Sequence, residues 1–189
     1  MITVEAASAS STVAVLRTWN WSGTHYVAHF AATIANMGIH GVGPTREGLG
    51  RTPDGVFTLT QAFGNQVSNG TRLPYFRAGP DDWWDEDPAS PDYNRHVVAA
   101  YSPGGASENL YDAGIAYSHA VVINYNTDPV VKGAGSGFFL HVGTGYSTAG
   151  CVAINARVLN EIMQWLDPPD HPVISIGVGR AATALLGAG

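Results

Sequence analysis

Short apolar runs of period two, cut every few residues by glycine or proline, constrain this chain more than any other feature. Twenty-three glycines and eleven prolines are spread over 189 residues, so few windows are free of a helix breaker for long. The windows between them alternate. In STVAVLRTW (11–19), Val13, Val15 and Arg17 point one way and Ala14, Leu16 and Thr18 the other. GTHYVAHFAA (23–32), VFTLT (56–60), SHAVVINYN (118–126), GSGFFLHV (135–142), CVAI (151–154) and HPVISIGVG (171–179) read as further strands. One window differs. Val158, Leu159, Ile162 and Leu166 recur at helical spacing, behind Asn155 as a cap and ahead of Pro168 and Pro169, which supply no amide donor. The expected fold class is mostly β (β-rich α+β), with one helix late in the chain.

The length suits one domain, expected over 10–180 with tails at 1–9 and 181–189. Hydrophobic residues make up 45% and charged ones 13%, enough to bury a core rather than remain disordered. The net charge of −6, with nine Lys and Arg, argues against nucleic acid as a partner, since phosphate binding needs a basic face. No apolar run approaches the length of a transmembrane segment. RAGPDDWWDEDPASPDYN (77–94) has no consistent period and many turn formers, and reads as a long surface loop. Its Trp83, Trp84 and Tyr93 either anchor that loop to the core or face a ligand, as a stacking surface or a lid. HYVAH (25–29) has histidines four apart, but it suits a strand better than a helical zinc site.

The single cysteine, Cys151, excludes an intrachain disulfide and follows His141 by ten residues. A hairpin of FFLHV and CVAI, joined by GTGYSTAG, would lay the imidazole beside the thiol. There it would take the thiol proton and hold the thiolate as an ion pair, lowering a pKa that starts near ~8.5. Gly143, Gly145 and Gly150 permit close backbone approach, and amides around Gly150 and Cys151 are candidate donors to an oxyanion. Such a pair performs acyl transfer. A lone cysteine is more often a small, buried, inert residue. On the residues alone both readings stand.

GSGFFLHVGTGYSTAGCVAI resembles the signature of the L,D-transpeptidase (YkuD-type) catalytic domain: a histidine at a strand end, a loop, then Gly-Cys entering a short strand. TREGLGRTPDGVFTL (45–59) is similar to that family's Arg-x-Gly-x-Gly-x-Thr-Pro-x-Gly-x-Phe segment. WWDEDPASPDYN (83–94) is similar to a Trp/Asp-rich loop of some members, and SENLYDAGIAYSHAVVINYN (107–126) to the segment ahead of the histidine. The likeness runs in order over about residues 42–177.

The resemblance implies a single YkuD-like β-sandwich or barrel domain with a helix after the cysteine strand. It implies Cys151 as nucleophile, His141 as base oriented by the Val142 carbonyl, and the Gly150 and Cys151 amides in an oxyanion hole. Ser147, Thr148, His119, Trp83 and Trp84 are candidate substrate contacts, His119 being more readily a core-edge residue of its strand, and no metal or organic cofactor is expected. The implied substrate is a peptidoglycan stem peptide, cut between an L-centre and a D-residue and passed as a thioester to the amine of a second stem. A carbapenem-type β-lactam would form an adduct at Cys151. That chemistry is extracytoplasmic, so a leader absent from this chain is expected to have been removed; ASA (7–9) has the small-x-small form of a cleavage site. Two positions depart from the family pattern: Ala149 stands where most members carry a second histidine, and Ala153 where Arg or Asn is common. The His-to-Cys loop is also shorter than usual. This describes a divergent branch that keeps the nucleophile and the assigned base. A hydrolase on the same scaffold and a non-catalytic wall-binding module are the alternatives.

Overall fold

Glycine and proline cut the backbone into short strands whose partners lie far away in sequence. A computed structural model describes residues 1–187. In chain order the elements are β1 (Ile2–Ala6), β2 (Val13–Trp21), β3 (Tyr26–Ala28), β4 (Thr33–Asn36), β5 (Gly55–Thr58), β6 (Ala62–Gly64) and β7 (Tyr75–Arg77). They continue with β8 (Asp82–Asp85), β9 (Arg95–Val98), β10 (Glu108–Asn109), β11 (Ala120–Val122), β12 (Phe139–Val142), β13 (Val152–Ile154), α1 (Ala156–Trp165) and β14 (Val173–Val178). The large mixed sheet has the order β5-β14-β1-β2-β4-β13-β12-β11-β6-β7, with β3 added to β2. A small sheet of order β10-β8-β9 stands apart from it. The fold is mostly β with a single α-helix, as the sequence pattern indicates.

Alternation decides which core each side chain joins. On β12, Leu140 and Val142 join Val152, Ile154 and the helix residues Leu159, Ile162 and Met163 in the larger core. Phe139, just before Leu140, faces the other way and packs with Phe63, Trp84, Tyr117, Val122 and Cys151. The Asn155 side chain accepts from the Arg157 amide and caps α1. Leu159 and Ile162 are fully buried, and each contributes on the order of 2 kcal/mol of burial free energy. Leu166 ends the helix just before the paired prolines.

Several expectations are corrected. Residues 1–9 do not form a tail: β1 lies between β14 (parallel) and β2 (antiparallel), with Ile2, Thr3 and Val4 fully buried. Ile2, Val4 and Ala6 enter the larger core and alternate with Thr3 and Glu5, a strand pattern that the expectation of a tail passed over. At the other end, residues 181–187 run through short 3-10 turns with Ala182 buried, and 188–189 lie outside the described residues. GTHYVAHFAA is not one strand; only Tyr26–Ala28 pairs, before the chain re-extends at Thr33. The 77–94 segment is not a surface loop, because β8 runs through its middle with Trp84 and Asp85 buried. Asp85 is buried because Ser90 Oγ donates to its Oδ2 at 2.5 Å and the Asp87 amide to its Oδ1 at 3.0 Å. A carboxylate satisfied locally can occupy an inward position that a polarity pattern assigns to solvent.

Candidate active site

FFLHV and CVAI are neighbours, but not as a hairpin. β12 and β13 pair in parallel, with Leu140 opposite Val152 and His141 opposite Ala153. The intervening segment therefore travels back along the sheet. It is guided by Thr148, whose amide donates to the Met37 carbonyl (2.9 Å) and whose carbonyl accepts from the Ile39 amide (2.8 Å). Register then puts His141, Phe139, Ala153 and Cys151 on one face, with the cysteine displaced two residues from the histidine's partner. Ala153 lies across from His141, where its methyl leaves the imidazole room.

The thiol and the imidazole sit at the floor of a cleft of about 790 Å³. Cys151 and His141 are each 8% exposed. His141 Nδ1 meets the Val142 carbonyl at 2.9 Å. A carbonyl only accepts, so Nδ1 carries the proton and Nε2 is left as the basic lone pair. The resting thiol is bonded to strand backbone rather than to the imidazole: the Phe139 amide donates to Sγ, and Sγ donates to the Gly137 carbonyl, both at 3.3 Å. Burial, then the nearby Glu108 carboxylate, push the Cys151 thiol above its ordinary range. Burial likewise pulls His141 down, against a smaller opposing effect of its bond to Val142. Both directions favour a neutral thiol beside a neutral imidazole, in place of the expected ion pair. Burial is the main cause for both, and the Glu108 carboxylate adds to it on the thiol alone.

Gly150 is required on two counts. Its φ is +146°, and a Cβ there would lie 2.5 Å from Phe138 Cε1. Its amide donates to Thr148 Oγ1 at 3.1 Å, and that hydroxyl donates to the Cys151 carbonyl at 2.7 Å. In this conformation the Gly150 amide is committed to Thr148 and not open to an oxyanion. Ser147, Thr148 and Ala149 line the cleft.

The other expected contacts are elsewhere. His119 Nε2 meets the Val67 carbonyl at 3.0 Å, away from the cleft lining. The Trp83 indole donates to the Ala99 carbonyl at 3.0 Å on the small sheet. Trp84 is neither lid nor sugar platform: it packs edge-on against Phe139 at 5.0 Å and donates to Asn94 Oδ1 at 2.9 Å. Of the two roles open to the tryptophan pair, Trp84 takes the anchoring one.

The sequence reading missed the residues that build the rest of the site. The small sheet supplies Glu108 from β10 and Glu86 from the end of β8 to the cleft wall, where they meet Glu47. Burial first, then Glu108, Glu47 and Asp85, push the Glu86 carboxyl up to about 8. Glu108 is raised by burial, and the Tyr117 hydroxyl donates to its Oε2 at 2.7 Å. Glu47 accepts from Tyr93 and, at 2.8 Å, from Ser136 Oγ, tying the segment ahead of β12 to the wall. Asn94 Oδ1 accepts from Trp84 Nε1 and, at 3.1 Å, from the Gly137 amide, while Nδ2 donates to the Tyr125 and Asn126 carbonyls. The available signal was scarcity: in so weakly charged a chain, carboxylates amid aromatics and glycines need a local reason. Among the described residues no group of three or more His, Cys, Asp or Glu side chains is placed to hold a metal ion.

Compared with known proteins, residues 15–174 match the family model described as the L,D-transpeptidase catalytic domain (YkuD). No curated protein and no solved structure gives a significant match.

Proposed function

The chain belongs to the L,D-transpeptidase catalytic-domain family, and from that premise we propose that Cys151 is the nucleophile of a peptidoglycan acyl transfer with His141 as its base. The observation that carries the reading is the pair itself: one cysteine and one histidine on the same strand face, at the floor of the cleft, with Nδ1 committed to the Val142 carbonyl. A neutral pair reacts by moving its proton during attack rather than before it. As Sγ bonds to the stem-peptide carbonyl between the L-centre and the D-residue, the thiol proton passes to His141 Nε2. The carbonyl π electrons move to oxygen, toward backbone donors near Cys151, with the Gly150 amide joining them once Thr148 releases it. Collapse expels the D-amino acid, whose amine takes the proton from the imidazolium, and leaves a thioester. A second stem's side-chain amine then attacks, gives a proton to Nε2, and displaces the thiolate, which is reprotonated. The result is a crosslink. No metal or organic cofactor enters any step.

Ser147 and Thr148 flank the thiol in the cleft and are the contacts we assign to the stem peptide. Among the described residues no helix is long and apolar enough to cross a membrane. We place the activity outside the cytoplasm, where crosslinked stems are found. With water as acceptor the same acyl-enzyme yields a shortened stem, the carboxypeptidase outcome.

The test is incubation with a tetrapeptide stem, followed by mass spectrometry of dimers and tripeptides, alongside a carbapenem-type β-lactam. A single covalent adduct at Cys151, lost in Cys151→Ala and slowed at least about a hundredfold in His141→Ala, is expected. A protein that neither acylates nor turns over stems overturns the reading.

A further inference from the structure

Tyr117 occupies a place in this centre that neither the nucleophile nor the base accounts for. It is buried, 5% exposed, in the same apolar cluster as Cys151, Phe63 and Phe139. Its ring meets the His141 imidazole edge-on, with centroids 5.3 Å apart and planes at 76°. Its hydroxyl donates to Glu108 Oε2 at 2.7 Å, and both residues line the cleft. A buried phenol needs one hydrogen-bond partner, and Glu108 satisfies it. What that bond leaves unexplained is why a carboxylate is held against a cysteine that must become an anion.

We propose that Tyr117 is a switchable hydrogen-bond donor to the Cys151 sulfur, parked on Glu108 at rest and turned to the thiolate as the proton leaves. The proton goes from Sγ to His141 Nε2. As that proton moves during attack, the negative charge building on sulfur accepts the Tyr117 O–H, which keeps its own proton throughout, and Glu108 loses one donor. When the new C–S bond takes up that charge, the hydroxyl returns to Glu108. In this scheme Glu108 has two opposed effects on the thiol. Its charge raises the cost of the thiolate, and its acceptor oxygen holds the donor that relieves that cost. The directions on the groups agree: burial first, then Glu108 and Glu86, push the thiol upward, the Phe139 amide pulls it down, and a Tyr117 hydroxyl turned to the sulfur acts in the same sense as that amide. The titratable groups facing the thiol are His141 on β12, Glu108 on β10, Glu86 after β8, and Tyr117 itself, with Glu47 acting on Glu86.

The inference deepens the proposed nucleophilic role of Cys151, but its test does not depend on turnover. The rate of Cys151 alkylation by iodoacetamide, read by intact mass from about pH 6 to 10, reports the thiolate fraction. Glu108→Gln removes the charge and keeps an acceptor for Tyr117, so alkylation is expected to speed up about tenfold at each pH below the thiol pKa, one pKa unit. Adding Tyr117→Phe to Glu108→Gln removes the donor without restoring the charge, and is expected to slow alkylation by about the same factor. A residue that merely packs would not move the two profiles in opposite directions. No slowing on adding Tyr117→Phe, or a Glu108→Gln rate at or below the parent's, overturns the proposal. If the opposed shifts appear and stems are not turned over, the acyl-transfer reading fails while the role of Tyr117 stands.

Discussion

Asn94 holds the segment that enters β12, the histidine strand, and replacing it with alanine tests whether that hub carries energy. Its Oδ1 accepts from Trp84 Nε1 and from the Gly137 amide, both buried, and Nδ2 donates to two carbonyls. Asn94→Ala leaves two buried donors without an acceptor, at about 1–3 kcal/mol each. The residue also sits at φ +61°, a region asparagine tolerates and alanine enters at a cost of roughly 1 kcal/mol. The loss is therefore about 3–7 kcal/mol. For a chain of 189 residues, at roughly 2–4 °C per kcal/mol, the mid-range loss of ~5 kcal/mol lowers Tm by about 10–20 °C. Differential scanning calorimetry reads this directly. Asn94→Asp separates the bonds from the backbone effect: it keeps an acceptor for both donors but turns an anion toward the Tyr125 and Asn126 carbonyls. It should be comparably unstable near neutral pH and recover in part as the carboxyl protonates, at roughly pH 4. A Tm drop of less than about 3 °C in Asn94→Ala would refute the reasoning.

Other measurements follow from the same geometry. Glu86 is held with its carboxyl up to about 8 against an ordinary 4.5, so the native state binds that proton more tightly than the unfolded one. Its contribution to stability is fully present below the unfolded value and is lost as pH rises through the folded one. Tm should fall between roughly pH 5 and 8, and Glu86→Gln should reduce that fall; Glu108, raised in the same sense, keeps it from vanishing, and parallel profiles would contradict the assignment. Gly150→Ala forces a Cβ to 2.5 Å from Phe138 at φ +146°, and an expected loss of about 2–5 kcal/mol is readable as a lower urea midpoint. Thr148→Val removes the hydroxyl that accepts from the Gly150 amide and donates to the Cys151 carbonyl, so about 1–3 kcal/mol of stability should be lost, read as a lower Tm; an unchanged Tm would mean that hydroxyl does not hold the turn. His119→Ala removes a bond to the Val67 carbonyl and a tilted contact with the Tyr75 ring, both away from the cleft lining, and should leave acylation within a factor of about two.

How much of this was legible in advance follows from the range of each interaction. The strand of residues 13–18 declared its inward face because alternation is a property of adjacent residues: Ala14, Leu16 and Thr18 are buried and Val13 is exposed. The helix declared itself in the same way, with Asn155 as its cap and paired prolines as its stop. β1 alternates too, Ile2, Val4 and Ala6 against Thr3 and Glu5, but so short a run does not say what it pairs with, and its partners lie at residues 14–18 and 174–178.

Sequence alone determined that Cys151 is this chain's only thiol, that a histidine precedes it on an alternating strand, and that Gly150 beside it frees the backbone for an uncommon turn. Each follows from residue identity and local spacing. Only the tertiary structure decided how the two side chains meet. The parallel register of β12 and β13 put them on one face, two positions out of step, where a hairpin was expected. The small sheet then set Glu108 and Glu86 in the cleft wall, and the 3-10 turn Gly114–Tyr117 set the Tyr117 hydroxyl on Glu108. Desolvation and charge proximity depend on what surrounds an atom in space, and residues 86, 108 and 117 reach Cys151 only through pairings made elsewhere in the fold. That is why local spacing could suggest an ion pair of Cys151 and His141, whereas burial and a nearby carboxylate in the fold push the thiol up and burial pulls the imidazole down.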